Sequence, residues 1–160
     1  MDEMGTDAAL AVSPDTHQYL TFRLGQEEYG IEILRVQEIK GYSAITPIPN
    51  TPMHVKGVMN LRGTVVPVMD LRVRFGLAEG VLDRFTVVIM VTAGSRVVGL
   101  VVDAVSDVLD IEASDMVPAP EMGQSVDTSF LTGMAKSEER LISLLAIDRV
   151  VGFDTLASAA

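Results

Sequence analysis

The side chains that could do chemistry here are few. Two histidines, His17 and His54, are the only imidazoles, and cysteine is absent. That excludes thiol nucleophiles, thiolate metal sites and disulfides. Neither histidine has a serine or carboxylate at a spacing that would build a triad. No G-x-S-x-G, G-x-G-x-x-G, Walker A or H-E-x-x-H pattern occurs. A hydrolase centred on His54 would depend on folding alone to supply its serine. Asp103, Asp107, Asp110, Glu112 and Asp115 form an acidic run, with no Lys or Arg between residues 97 and 135. A calcium loop would need a sharp glycine turn inside that run. None is present, so the run reads as a solvated acidic face that could steer a basic partner.

Arg62 stands out more sharply. It lies in Met59-Asn-Leu-Arg-Gly-Thr, a turn between two apolar runs. An arginine between Leu61 and Val65 needs a carboxylate, and Glu38 or Asp70 could supply it. Such a pair would either fix the turn locally or border a partner-binding groove, where the planar guanidinium gives directional recognition.

The elements that must position these residues are mostly strands. The 160 residues are 48% hydrophobic with mean hydropathy +0.34, which excludes disorder for most of the length. β-Branched residues are dense, and turn signals such as Leu24-Gly-Gln and Ala93-Gly-Ser separate short apolar runs. Residues 1–16 and 154–160 read as tails with no burial pattern. A short helical turn is expected between Ile31 and Ile39, and a terminal helix from Ile147 to Leu156. Nine methionines fill core gaps or form adaptable contact surface. The start, Met1-Asp-Glu-Met, lacks the basic n-region of a signal peptide. Twelve basic against 22 acidic residues give a net charge of −10, and there is no Trp, which argues against nucleic-acid binding. The apolar stretch from Val87 to Val102 is interrupted by Gly94-Ser-Arg and reads as a strand pair rather than a membrane span.

An internal repeat organises the chain. A shift of 69 positions lays Gly25 on Gly94, Gly30 on Gly99, Val36 on Val105, Glu38 on Asp107 and Pro49 on Pro118. Coinciding glycines and prolines fix backbone geometry, so they weigh more than apolar matches. With one residue of slip, Leu61-Arg-Gly63 pairs with Leu131-Thr-Gly133. An insertion near Lys136–Arg140 then pairs Val66-Pro-Val-Met-Asp70 with Leu144-Leu-Ala-Ile-Asp148. On this alignment Thr132 fills the slot of Arg62, and the asymmetry marks where the two halves diverged in function. Halves of about 65 residues are marginal alone. Packing one half (about 17–80) on the other (about 86–153) as small closed barrels, with strands possible to exchange, hides the edges. Pro67 must sit where its missing N–H costs nothing.

Two blocks carry a resemblance: Tyr29-Gly-Ile-Glu-Ile-Leu-Arg-Val-Gln-Glu-Ile39, and Val55-Lys-Gly-Val-Met-Asn-Leu-Arg-Gly-Thr-Val-Val-Pro-Val-Met-Asp-Leu71. With Val97–Leu109 and Phe130-Leu-Thr-Gly-Met134, they closely resemble the CheW family of chemotaxis adaptor proteins over residues 17 to about 153. The resemblance implies an all-β fold of two small SH3-like, five-stranded β-barrels on a shared hydrophobic core, with short helical segments. It implies no catalysis, cofactor or metal. It implies a cytoplasmic scaffold, recruited to membrane-associated receptor arrays, that couples transmembrane chemoreceptors to the histidine kinase CheA by binding both. The implied receptor-binding groove contains Val36, Glu38, Arg62 and Val108. Gly57, Gly63, Gly99 and Gly133 would shape turns or touch a partner. Turn-proximal Ile45, Val117 and Met122 are candidates for the kinase-facing apolar surface. A ligand-binding β-barrel sensor is the alternative reading, and it requires an enclosed apolar cavity.

Overall fold

The computed structural model describes residues 16–43, 45–51, 55–77, 82–117 and 128–152. Apart from Thr16, both expected tails lie outside that range. Among the described residues, eleven strands form two sheets. Sheet I contains β1 (Thr16–Leu24), β2 (Glu27–Glu32), β8 (Ala104–Glu112), β9 (Met116–Val117), β10 (Leu131–Ser137) and β11 (Arg140–Leu145), in the order β9-β10-β11-β2-β1-β8. Sheet II contains β3 (Val36–Gly41), β4 (Val55–Leu61), β5 (Thr64–Asp70), β6 (Val87–Ala93) and β7 (Arg96–Val102), in the order β3-β6-β7-β5-β4. Each half of the chain thus lends its first hairpin to the sheet built by the other half. The borrowed hairpins join through the two parallel seams, β2 on β11 and β7 on β5.

The hairpin turns follow from their glycines. Gly25 (φ 62) and Gly94 (φ 61) open two-residue loops, and positive φ at the first loop residue matches the twist of the flanking strands. Short helical pieces link the elements: a 3-10 turn at Ile33–Arg35, α1 (Leu71–Arg74) and α2 (Ile147–Val151). Both expected helical segments therefore exist, the terminal one in shortened form.

Both sheets curl shut. In sheet II the edges are β3 and β4. The chain beyond β3 returns to β4, where Thr46 and Val58 exchange N–H···O bonds of 2.9 Å. Val58 spends its backbone polar groups on Thr46, so its other neighbour, Pro67, faces it without a ladder bond. The β5–β7 ladder begins only at Val68. Pro67 therefore occupies a position where no N–H is wanted. In sheet I the edge strands β8 and β9 are joined by the 3-10 turn Ala113–Asp115. The second barrel thus carries a two-residue sixth strand, Met116–Val117, where its counterpart has the single Thr46–Val58 bridge.

Three cores result. Leu20, Phe22, Leu24, Ile89, Val91, Ala93, Leu145 and Val150 belong to a shared core between the sheets. The opposite strand faces fill the barrel interiors: Met59, Val68, Val88 and Met90 in sheet II, and Tyr19, Ile111, Ile142 and Leu144 in sheet I. An aromatic row, Phe22–Tyr29–Phe75–Phe130, runs through the shared core with ring centroids 5.5–5.8 Å apart.

The pairing registers correct the second part of the repeat. Val55 is equivalent to Leu131, Gly57 to Gly133, Leu61 to Ser137, Thr64 to Arg140 and Met69 to Leu145, a constant offset of 76. The residue equivalent to Arg62 is therefore Glu138, not Thr132, and Gly63 matches Glu139. Both pairs are hairpin turns with positive φ, 51 and 87 in one and 51 and 69 in the other. The Leu-x-Gly likeness between residues 61–63 and 131–133 is local. The hydrogen-bond ladder follows the bulge, which falls at Val55/Gly57 and at Leu131/Gly133.

Of the four singled-out glycines only Gly63 sits in a turn; Gly57, Gly99 and Gly133 lie in strands. Gly57 (φ 148) is the tightest. A Cβ there would lie 2.0 Å from the Thr46 carbonyl oxygen that closes the barrel. At Gly99 a Cβ would meet Val88 at 2.8 Å, beside the parallel seam; Gly30, its repeat partner, would meet Leu144 at 3.0 Å. We expect Gly99→Ala to cost about 1–3 kcal/mol by overpacking. Gly57→Ala should cost more, because its obstacle is backbone. Urea denaturation of the two variants checks that order.

Candidate functional site

Arg62 Nη1 lies 2.6 Å from Glu38 Oε1. Glu38 is on edge strand β3 and Arg62 at the tip of the β4–β5 hairpin, so this pair spans the two edges that meet in the closed barrel. Of the two carboxylates considered for Arg62, Glu38 is the partner. Asp70 is fully buried and engaged elsewhere. It caps α1 through the Arg72 N–H and grips the Arg72 side chain with both oxygens, at 3.1 and 3.0 Å. The turn that presents Arg62 is fixed by Asn60, whose Oδ1 accepts the Gly63 N–H at 2.8 Å.

The ion pair is open to solvent. The Arg62 side chain is 73% exposed and that of Glu38 27%. Exposed pairs of this kind contribute about 0–1 kcal/mol. Holding a non-glycine residue at φ 51 costs about 1–2 kcal/mol. The pair is therefore no net source of stability, and its guanidinium remains accessible to a partner.

The duplication repeats the device in sheet I with other residues. Asp107, the equivalent of Glu38, accepts from Arg140 at 3.1 and 3.2 Å, and Arg140 also donates to Glu28 at 2.9 and 2.6 Å. The buried Thr21 hydroxyl donates to the Asp107 carboxylate and accepts the Asp107 N–H, filling the gap that a bulge leaves in the β1–β8 ladder. Arg140 and then Thr21 hold the Asp107 carboxyl below its ordinary range. Asp103 likewise receives Arg72 at 3.1 Å. Two members of the acidic run are thus structural partners rather than a purely solvated face.

The other expected site residues are placed as follows. Val36 leads β3 and packs half-buried against the shared core. Val108 stands on β8 in the other barrel, 47% exposed, at the position equivalent to the exposed Ile39. The structure joins Glu38 to Arg62 and sets Val36 on the same strand, whereas Val108 belongs to the second barrel. Ile45 packs against the interior of sheet II, and Val117 is half-buried in β9. Met122 and His54 lie outside the described residues. His17 is exposed on β1. Among the described residues no group of His, Asp and Glu is arranged to hold a metal ion, and no helix is long and apolar enough to cross a membrane.

Two features were missed in the sequence. Leu34, on the 3-10 turn between the barrels, is 92% exposed. An apolar groove of about 660 Å³ also runs along the β4–β5 hairpin, lined by Val55, Val58, Val65, Pro67 and Val97 with Arg96 at its rim. In β5 the alternating Val66 and Val68 are buried while Val65 and Pro67 face the groove, a division that only the closed barrel shows.

The chain matches a family model described as "CheW-like domain" over residues 18–153. It is 46% identical over 157 residues to "Chemotaxis protein CheW" of Klebsiella aerogenes, covering 98% of this chain and 95% of that protein. It is 30% identical over 151 residues to "Protein FrzA" of Myxococcus xanthus, covering 92% and 94%. Among solved structures it is similar to the scaffolding protein TtCheW from Thermoanaerobacter tengcongensis, with a TM-score of 0.79 and 33% identity over 85% of this chain and 92% of that one.

Two outcomes are expected. Asn-Gly is the preferred pair for a hairpin turn with two positive φ values, so Arg62→Asn should keep or raise Tm while removing the guanidinium. Second, a carboxyl with a depressed folded-state pKa contributes stability that is complete above the ordinary carboxylate pKa. That contribution is lost as pH falls through the depressed value. The native protein should therefore lose Tm more steeply than Asp107→Asn on acidification from about pH 5 to about pH 2. Equal slopes would remove Asp107 from the account.

Proposed function

As the chain belongs to the CheW family, we propose that it is a non-catalytic scaffold of bacterial chemotaxis signalling, coupling transmembrane chemoreceptors to the histidine kinase CheA. The observation that carries this reading is the solvent-open Glu38–Arg62 pair on a closed, filled barrel. An adaptor needs stiff surfaces and no reacting atoms. Both barrel interiors are packed with side chains, whereas a ligand sensor needs an enclosed cavity. The apolar area left over faces outward, at Leu34, Ile39, Val65 and Val108.

On this reading the receptor's helical tip docks along Val36 and Val108, with the Glu38–Arg62 pair at the rim. An apolar helix stripe gains affinity from the valines, and the two charges fix its register. The guanidinium can exchange its single contact with Glu38 for a bidentate one with a receptor carboxylate. On the same reading the half-buried Ile45 and Val117 contribute to a separate contact with the CheA regulatory domain. Two faces on one rigid frame allow both partners to bind at once. The protein then works in the cytoplasm, held at membrane-associated arrays by its partners.

Isothermal titration against the isolated regulatory domain of the cognate CheA tests the reading. Saturable one-to-one binding is expected. Arg62→Asn should bind that domain unchanged and bind a soluble receptor cytoplasmic fragment at least about tenfold more weakly, the loss of one charge-assisted pair. Unaltered affinity for both partners in a folded Arg62→Asn protein would remove Arg62 from the receptor site. No binding of the CheA domain would leave the fold without the proposed partner.

A further inference from the structure

The tips of the two borrowed hairpins are tied down by related but unequal polar clusters. The Gly25 N–H donates to Asp103 Oδ2 at 2.7 Å, and Asp103 Oδ1 receives Arg72 at 3.1 Å. At the repeat position 69 residues on, the Gly94 N–H donates to Asp148 Oδ1 at 3.2 Å, and Asp148 receives Arg35 at 3.1 and 3.4 Å. Each cluster therefore joins three parts: a hairpin tip of one sheet, the segment that crosses between sheets, and the short helix that ends the other sheet. The polarity is reversed between them. Arg72 of α1 faces an acid on its crossover, whereas Asp148 of α2 faces an arginine on its own.

Their surroundings differ in a way that decides their strength. Arg72 is 1% exposed and is locked in place by the fully buried Asp70 two residues before it, with Lys56 a further 4.0 Å from that carboxylate, while its crossover partner Asp103 is 29% exposed. The residue equivalent to Asp70 at the second cluster is Ala146, so no buried carboxylate backs Arg35 there; the exposed Glu32 adds only a through-space attraction. Instead it donates to the Thr92 carbonyl at 3.1 Å, next to the contact of Gln37 with the Thr92 hydroxyl. The Arg35 and Asp148 side chains are 35% and 49% exposed. Breaking a buried pair strands a charge out of water; an exposed pair exchanges its partner for water at little cost and is screened by salt.

We propose that the two barrels are joined by one fixed pivot, Arg72 with Asp70 and Asp103, and one releasable latch, Arg35 with Asp148. When the latch opens, the Gly94 hairpin tip and α2 separate while the Gly25 side stays closed, and one barrel tilts on the other about the pivot. The shared core stays packed, so the tilt is small. It changes the relative setting of β3 and β8, the strands that carry Val36 and Val108. That last consequence rests on the adaptor reading; the latch itself does not.

The chain contains no cysteine, so spin labels can be placed cleanly. Val65→Cys and Leu141→Cys are equivalent exposed positions, one on each barrel. The distance distribution between them is measured with and without Arg35→Ala, alongside residue-resolved amide exchange of Gly25 and Gly94. The salt range is about 0.01 M to about 1 M, over which the Debye length falls from about 30 to about 3 Å. The expected result is several-fold faster exchange at Gly94, both in high salt and in Arg35→Ala, with Gly25 unchanged and the interbarrel distribution broadened. Equal responses at the two glycines would overturn the proposal. So would faster exchange at Gly94 with an unbroadened distribution, because the contact would then be a local tie and not a latch. Neither measurement uses a partner, so failure here leaves the adaptor reading to its own test.

Discussion

Strands buried on both faces impose the constraint on which this architecture depends. In β6, Ile89, Val91 and Ala93 point into the shared core while Val88 and Met90 point into a barrel; in β1, Leu20, Phe22 and Leu24 alternate with Tyr19 in the same way. A ribbon apolar on both sides needs two cores at once, and half of this chain is too small to supply them. The reciprocal loan of hairpins solves this. Each borrowed hairpin closes one barrel with its inner face and builds the common core with its outer face. The connection is covalent in both directions, so neither barrel is an independent unit.

That arrangement dictates where polar chemistry goes. Each parallel seam holds one position too crowded for a Cβ, and Gly30 and Gly99 occupy them. Closure brings edges together at the hairpin tips, and each closure is finished by an acid–arginine contact, Glu38 with Arg62 and Asp107 with Arg140. Crossing between barrels exposes polar backbone at the turn glycines, which Asp103 and Asp148 satisfy. Ion pairs here stand at boundaries between elements, where they set geometry more than they add stability. The exception is Arg72 with Asp70. It sits wholly inside, and its full complement of hydrogen bonds is what makes a buried charge tolerable.

Much of this was legible in the residues. Coinciding glycines and prolines revealed the duplication, the alternation of β-branched residues gave the strand class, and an isolated Arg62 between apolar neighbours demanded a carboxylate. The offset of the second part was not legible, because Leu61-Arg-Gly63 and Leu131-Thr-Gly133 look alike while playing different roles. One is a turn, and the other opens a bulged strand. Local likeness cannot report a ladder register, which is fixed by partners far away in sequence. The clusters around Asp103 and Asp148 were hidden for the same reason. Their members are brought together by the hairpin exchange, and in the sequence Asp103 stands only within an acidic run.

The corrected equivalence changes how Arg62 is understood. Its counterpart is Glu138, so both hairpin tips hold charged residues in left-handed backbone, where asparagine or glycine would be cheaper. The second tip places two adjacent acids, Glu138 and Glu139, in that costly geometry. A sequence shaped by stability alone would not pay for this twice. Violations of local preference gather where something other than folding sets the residue. Here they gather at the solvent-facing ends of the two barrels, with opposite charge on the two tips. A partner approaching one tip therefore meets an arginine, and one approaching the other meets acids. The two barrels share one fold and differ in the charge their tips present.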